Sequence, residues 1–339
     1  MEGVQSGMQT GGDGAGSAGR PGFSGSTIKI IAVAAMLIDH AAATVLARYL
    51  IGGIREAADT GTTQNWLAEN AMWYDIYDVM RGIGRLGFPI FCFLLVEGYQ
   101  RTRDVKKYAL RLGLFALISD VPFDLAICGT PFHMGYQNVY FTLLLGLLAL
   151  WAYGFFGKFG QEGKADLPAP VRIGSMVTGV VAPVLYLGLG MRKQVVTVEF
   201  PYKTCLAVAA VIVCGLAGYG IWKGLRSVQT ACMDMTALAA CMIIAMYLET
   251  DYSGMGVLTI TAIYLFRRRK ALAMLAGCVV LCVMSLSEVY ALFAVLPIAL
   301  YNGQRGMKMK YFFYAFYPVH LLLLYAAAVL LGLGSVILL

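Results

Sequence analysis

The sequence predicts an all-α protein, a polytopic integral membrane bundle of about ten or eleven spanning helices with its N-terminus inside. Three observations carry this reading. The 339 residues are 59% hydrophobic and 13% charged, with a mean hydropathy of +0.72, which excludes an ordinary soluble domain. Apolar runs long enough for a hydrocarbon layer of about 30 Å recur along the chain. Lys and Arg alternate between connecting segments as the positive-inside rule requires.

The first 26 residues hold nine glycines and no apolar core. They are expected to be a disordered tail, neither signal peptide nor span. Residues 27–339 then form one transmembrane domain. Apolar segments start near Thr27, Arg81, Tyr108, Val139, Arg172, Thr204, Ala231, Met255, Ala271, Glu288 and Tyr311. Those at Met255, Ala271 and Glu288 are short for full spans. With the N-terminus inside, 19 of the 26 basic residues fall on the inner side; Arg48, Arg55, Arg81, Arg85, Arg192, Lys193 and Lys203 fall on or near the other. The net charge of +7 is thus a topology signal, and no nucleic-acid partner is expected.

Of the eight cysteines, all but Cys128 lie in or beside apolar segments, without a CxxC pair or metal-ligand spacing. Cys92, Cys214, Cys241, Cys278 and Cys282 read as small core residues. No structural metal and no disulfide framework is expected. Gly82, Gly84 and Gly87 form a literal G-x-G-x-x-G, but the dinucleotide fingerprint needs a preceding strand. Here the run opens an apolar helix expected to continue through Phe88 to Val96, and its glycines allow close approach of a neighbouring helix or a ligand chain.

Asp39 and His40 sit inside the first apolar stretch, where a charge costs roughly 2.5 to 3.5 kcal/mol and marks a functional site. Arg81 and Arg85 share a helix face one turn apart. At about 1.5 Å per residue, His40 lies roughly 18 Å along its span, Arg85 comes within a side-chain length of the same level, and His320 lies near mid-membrane after Pro318, which is expected to kink the last helix. Glu97 is off the Arg85 face and is expected to pair with the basic loop Arg101–Lys107 or to help bind a ligand entering from inside. His133 falls in an outer loop and reads as an exposed residue.

The runs Lys29-Ile-Ile-Ala-Val-Ala-Ala-Met-Leu-Ile-Asp39-His40, Arg81-Gly-Ile-Gly-Arg85-Leu-Gly-Phe-Pro-Ile-Phe, Asn138-Val-Tyr-Phe-Thr-Leu-Leu-Leu-Gly, and Tyr301-Asn-Gly-Gln-Arg-Gly followed by Tyr311-Phe-Phe-Tyr-Ala-Phe-Tyr-Pro-Val-His320-Leu resemble the TraX family. The founding activity of that family is N-terminal acetylation of conjugative pilin. The resemblance covers about residues 27–150 and 247–325, with Ser119-Asp120-Val-Pro-Phe similar to the family pattern; residues 158–230 carry no recognised motif. It extends to the wider class of transmembrane acyltransferases, including bacterial polysaccharide O-acetylases. The resemblance implies a multi-pass protein of the bacterial cytoplasmic membrane, with His40 as catalytic histidine and Arg81 and Arg85 as its partners.

The residues fit such a transfer. His40 can act as base or as covalent acetyl carrier, and Arg85, His320 or a backbone N–H can stabilise the oxyanion. Asp39, adjacent to His40 and about 100° away around the helix, binds an acceptor ammonium or pairs with an arginine. Acetyl-CoA is the expected donor substrate, its phosphates held by Arg101, Arg103, Lys106 and Lys107 and by Arg267, Arg268, Arg269 and Lys270. The acceptor stays open between a pilin-like N-terminal amine, another exported peptide and a glycan. The same Asp, His and Arg set also describes a proton-coupled transporter or channel, although no internal repeat is visible. A scaffold without turnover is the third reading.

Overall fold

The structure, a computed structural model, describes residues 21–158, 168–194, 202–307 and 310–337. The expected tail up to residue 20, and Lys164 and Lys308 of the basic-residue alternation, lie outside the described residues. The fold is helical: α1 (Gly25–Ala41), α2 (Ala47–Asp59), α3 (Thr63–Glu69), α4 (Ala71–Gly84), α5 (Gly87–Arg101), α6 (Val105–Phe123), α7 (Val139–Phe156), α8 (Ala169–Gln194), α9 (Tyr202–Lys223), α10 (Leu225–Tyr247), α11 (Ser253–Leu265), α12 (Lys270–Met284), α13 (Val295–Ala299) and α14 (Lys310–Leu330). A 3₁₀ segment, Leu286–Ala294, precedes α13.

Seven of the described helices are long and apolar enough to cross a membrane. Helix α6 and the three shorter bodies 253–265, 270–284 and 286–299 bring the number to eleven among the described residues, most of them beginning within three residues of an expected start. Helices α1, α5, α7, α11 and α12 enclose a core of Ile28, Ile90, Leu147, Ile260, Met274 and Leu281, all fully buried. Helix α9 packs on α8 and α10 and is otherwise exposed. Cys214 therefore faces outward, unlike the expected core residue, whereas Cys92 and Cys278 are buried.

Three local features depart from the sequence reading, each for a physical reason. Helix α1 begins at Gly25, capped by the Ser24 hydroxyl on the Thr27 amide at 3.2 Å. Phe23 pairs with the Tyr301 segment through amide bonds to Leu300 and from Asn302, so Phe23–Ser26, expected in the tail, are ordered.

The second span starts ten residues before Arg81, at Ala71, and breaks at Arg85–Leu86. Pro89 lacks the amide that would bond the Arg85 carbonyl, so an unbroken helix cannot run through it, while the first turn of a new helix accepts it. The α1 and α6 helices pass into π-helical turns at Ala42–Leu46 and Asp124–Cys128.

Arg48, counted among the basic residues on or near the outer side, is fully buried within the protein where those turns meet. Its guanidinium donates to the carbonyls of Thr44 at 2.8 Å, Ala126 at 2.6 Å and Leu125 at 3.1 Å. A π turn displaces carbonyls from their ordinary partners; the planar, forked guanidinium can satisfy several at once.

Candidate functional site

His40, at the end of α1, and His320, two residues beyond Pro318 inside the continuous α14, form the centre of the site. His40 Nδ1 lies 2.7 Å from His320 Nε2, with the rings within 9° of coplanar. His320 Nδ1 lies 2.7 Å from the Phe316 carbonyl. That oxygen can only accept, so His320 Nδ1 carries the proton and its Nε2 is the acceptor. His40 Nδ1 is then the donor, which leaves the lone pair of the neutral imidazole on His40 Nε2. Phe316 stacks on the His320 ring at 4.6 Å and Tyr317 meets His40 edge-on at 5.8 Å, fixing both rings.

Two arginine–carboxylate pairs flank the histidines. Arg81 holds Asp39 at 2.7 Å and Arg85 holds Glu288 at 2.8 Å. Of the two expected roles of Asp39, the structure displays the arginine pair. Glycines on either side of the break admit this geometry: a Cβ on Gly84, the last residue of α4, would overlap the Asp39 side chain, and one on Gly87, the first of α5, would touch Met36 of α1. Close helix approach was the expected purpose of these glycines.

Glu288 was not among the expected site residues, although a carboxylate opening an apolar segment carries the signal that marked Asp39. The 3₁₀ segment holds it in place, with the Cys278 thiol donating to the Ala291 carbonyl at 3.1 Å. The other residue missed is Asp251, in the short connection between α10 and α11; its carboxylate accepts the Tyr136 hydroxyl at 2.9 Å.

A cavity of about 70 Å³ is lined by Asp39, His40, Gly84, Asp251, Tyr252 and Tyr317, among others. Its walls Phe91, Tyr140, Leu143 and Phe313 are shared with a larger cavity of about 420 Å³. The larger cavity lies toward the N-terminal end of α1 and is lined by Lys29, Arg101, Arg111 and Arg305. Lys29 precedes His40 by eleven residues, about 16 Å of helix.

Of the eight cations expected to hold donor phosphates, Arg101 lines this cavity and the other seven do not. Lys107 pairs with Asp104 at 3.4 Å. Arg267 lies 4.0 Å over the Tyr264 ring, and the Lys270 ammonium bonds the Tyr301 carbonyl at 3.1 Å. Arg103, Lys106, Arg268 and Arg269 are exposed. Glu97 pairs with Arg101 at 2.6 Å, as expected. His133 is half-buried, its amide bonded to Asp124 at 2.7 Å, so it is not the exposed loop residue anticipated.

Membrane-length helices gathered around a histidine pair and two arginine–carboxylate pairs define a polytopic membrane protein with a charged site inside its bundle. The TraX protein family matches residues 24–155 and 177–328, and the chain belongs to that family. The match also takes in residues 177–230, within the segment where the sequence offered no recognised motif. A similar protein is the probable fimbrial assembly protein FimC, serogroup H1, of Dichelobacter nodosus, 24% identical over 318 residues covering 91% of this chain and 97% of that protein. No solved structure matches the chain.

Proposed function

We propose that the protein is an acetyl-CoA-dependent acetyltransferase of the bacterial cytoplasmic membrane, acting on the amine of a pilin-like or other exported peptide. One observation carries the reading: His40, its tautomer set by His320, stands where a basic vestibule meets a small cavity bearing carboxylates. Lys29, Arg101, Arg111 and Arg305 suit the phosphates of coenzyme A, and the shared wall leads its uncharged arm toward His40. His40 Nε2 then takes a proton from the attacking nitrogen.

The Tyr252 side chain stands beside Arg85 at the wall of the cavity that His40 lines, and its hydroxyl is the donor assigned to the oxyanion that forms at the thioester carbonyl. The name of the FimC relative supports a fimbrial or pilin-like acceptor.

The test is acetyl transfer by the purified full-length protein in lipid vesicles, with labelled acetyl-CoA and glycyl-phenylalanine amide as acceptor. Transfer that needs both substrates supports the reading. Failure to bind acetyl-CoA, or binding without transfer to the amine, overturns it.

A further inference from the structure

The connection that carries Asp251 is the most strained backbone among the described residues. Glu249, Tyr252 and Ser253 adopt φ of 51°, 63° and 46°, and they are the three non-glycine residues with positive φ in the described chain. L side chains avoid that region, and such residues persist where the surroundings over-determine them, commonly at functional sites.

The surroundings here are specific. The Gln137 amide donates to the Glu249 carbonyl at 3.1 Å and the Asp251 amide to the Gln137 carbonyl at 2.8 Å. The Thr142 hydroxyl bonds Thr250 Oγ1 at 3.0 Å and the Asp251 carbonyl, and the Tyr252 ring lies flat on Phe88 at 3.7 Å. This scaffold holds the Asp251 carboxylate at the wall of the cavity that His40 also lines.

Charge bookkeeping gives that carboxylate a task. On the helix side, Asp251 is faced by Asp39 and His40 of α1, by Arg81 in the last turn of α4 and by Arg85 at the break that follows. From the remaining elements it is faced by Tyr136, Tyr252, Glu288 and Tyr317. The two arginines are taken by Asp39 and Glu288. Among the described residues the hydrogen-bond partner of Asp251 is the neutral Tyr136 hydroxyl, on one oxygen, so with all three carboxylates ionised the cluster carries one negative charge in excess. A buried carboxylate with no cation of its own is stabilised by taking up a cation or a proton, and a protonated amine brings both.

We propose that Asp251 binds the ammonium group of the acceptor and accepts the first proton it must lose. This rests on the acetyltransferase reading above. The acceptor R–NH₃⁺ gives one proton to the Asp251 carboxylate and becomes R–NH₂. Its lone pair forms the N–C bond to the thioester carbonyl, and the C–S bond breaks as the tetrahedral intermediate collapses. The second nitrogen proton passes to His40 Nε2 and from there to the departing thiolate, giving the free thiol. The proton on Asp251 returns to water. An amine acceptor thus needs two proton acceptors, and the site supplies two; a hydroxyl acceptor would need His40 alone.

Asp251→Asn keeps an oxygen for the Tyr136 hydroxyl but can neither neutralise an ammonium nor accept its proton. Two measurements on the full-length protein in vesicles test the assignment. In calorimetry, glycyl-phenylalanine amide should bind the wild type at least tenfold more tightly than Asp251→Asn, while N-acetyl-glycyl-phenylalanine amide should bind both equally.

In transfer assays the variant depends on amine already neutral in solution. With an α-amino pKa near 8, its rate should rise about 30-fold more than that of the wild type between pH 6.5 and pH 9. Equal binding of the free amine by both proteins, or parallel pH profiles, would remove Asp251 from the role. Amine discrimination lost in the variant while the wild type transfers no acetyl group would keep the ammonium site and sink only the acetyltransferase reading.

Discussion

His40 Nδ1 donates to His320 Nε2 across 2.7 Å, and the same His320 ring is anchored through its Nδ1 to the Phe316 carbonyl. The second histidine thereby does for the first what a carboxylate does in a catalytic triad: it selects the tautomer and aims the free nitrogen. Unlike a carboxylate it adds no negative charge to a cluster that already has one in excess.

Replacing His40 by Gln removes the base and keeps a side chain of similar reach. Acetyl transfer should fall by about 100-fold or more, with acetyl-CoA binding and the melting temperature nearly unchanged. A large loss of melting temperature with transfer preserved in the folded fraction would make His40 a packing residue.

His320→Gln and His320→Leu should part company. The glutamine offers an oxygen to His40 Nδ1, whereas leucine leaves that buried N–H without a partner, costing about 1 to 3 kcal/mol. The expected order of kcat is wild type, then His320→Gln, then His320→Leu, with KM for acetyl-CoA unmoved. Equal kcat for all three would end the orienting role.

Glu288 is 1% exposed and neutralises Arg85. Glu288→Leu strands the guanidinium in the bundle, and thermal unfolding in detergent should register a loss of about 3 to 5 kcal/mol. The double change with Arg85→Met should recover most of that stability without recovering activity. If the single and double variants melt together, the pair contributes little.

Arg48→Met leaves the Thr44, Leu125 and Ala126 carbonyls without their shared donor and should destabilise by about 3 kcal/mol or more. Arg48→Lys should restore only part, because an ammonium cannot present the guanidinium fork. Equal melting temperatures for Lys and Arg would show that charge alone matters there.

At the vestibule, Lys29→Glu combined with Arg305→Glu should weaken acetyl-CoA binding and lessen its salt dependence. Joint reversal of Arg267, Arg268 and Arg269, which lie outside the cavity, should not. The opposite ranking, measured on correctly inserted protein, would return the phosphates to the cluster singled out from sequence.

The sequence disclosed the helical bodies because an apolar run is a one-dimensional signal, and it disclosed Asp39, His40, Arg81, Arg85 and His320 because charge within such runs is costly. What it hid is three-dimensional. Asp251 sits in a short connection between α10 and α11, where a carboxylate looks unremarkable until the loop is seen folded inward on Thr142. Arg48 looked like a boundary charge because nothing in the local pattern announces two π turns. The break at Arg85 was legible in Pro89, four residues on, but the apolar run across it reads as one helix.

The wall of Phe91, Tyr140, Leu143 and Phe313 common to the two cavities has an electrical consequence. A protein with a basic chamber and a pocket bearing carboxylates side by side would leak protons across the membrane if a continuous file of water joined them. Three apolar side chains and one tyrosine line both cavities there, and an apolar passage of that composition is costly for any hydrated ion and not for an uncharged arm. On the acetyltransferase reading, that apolar lining would let a reactive group pass toward His40 while hindering proton leakage.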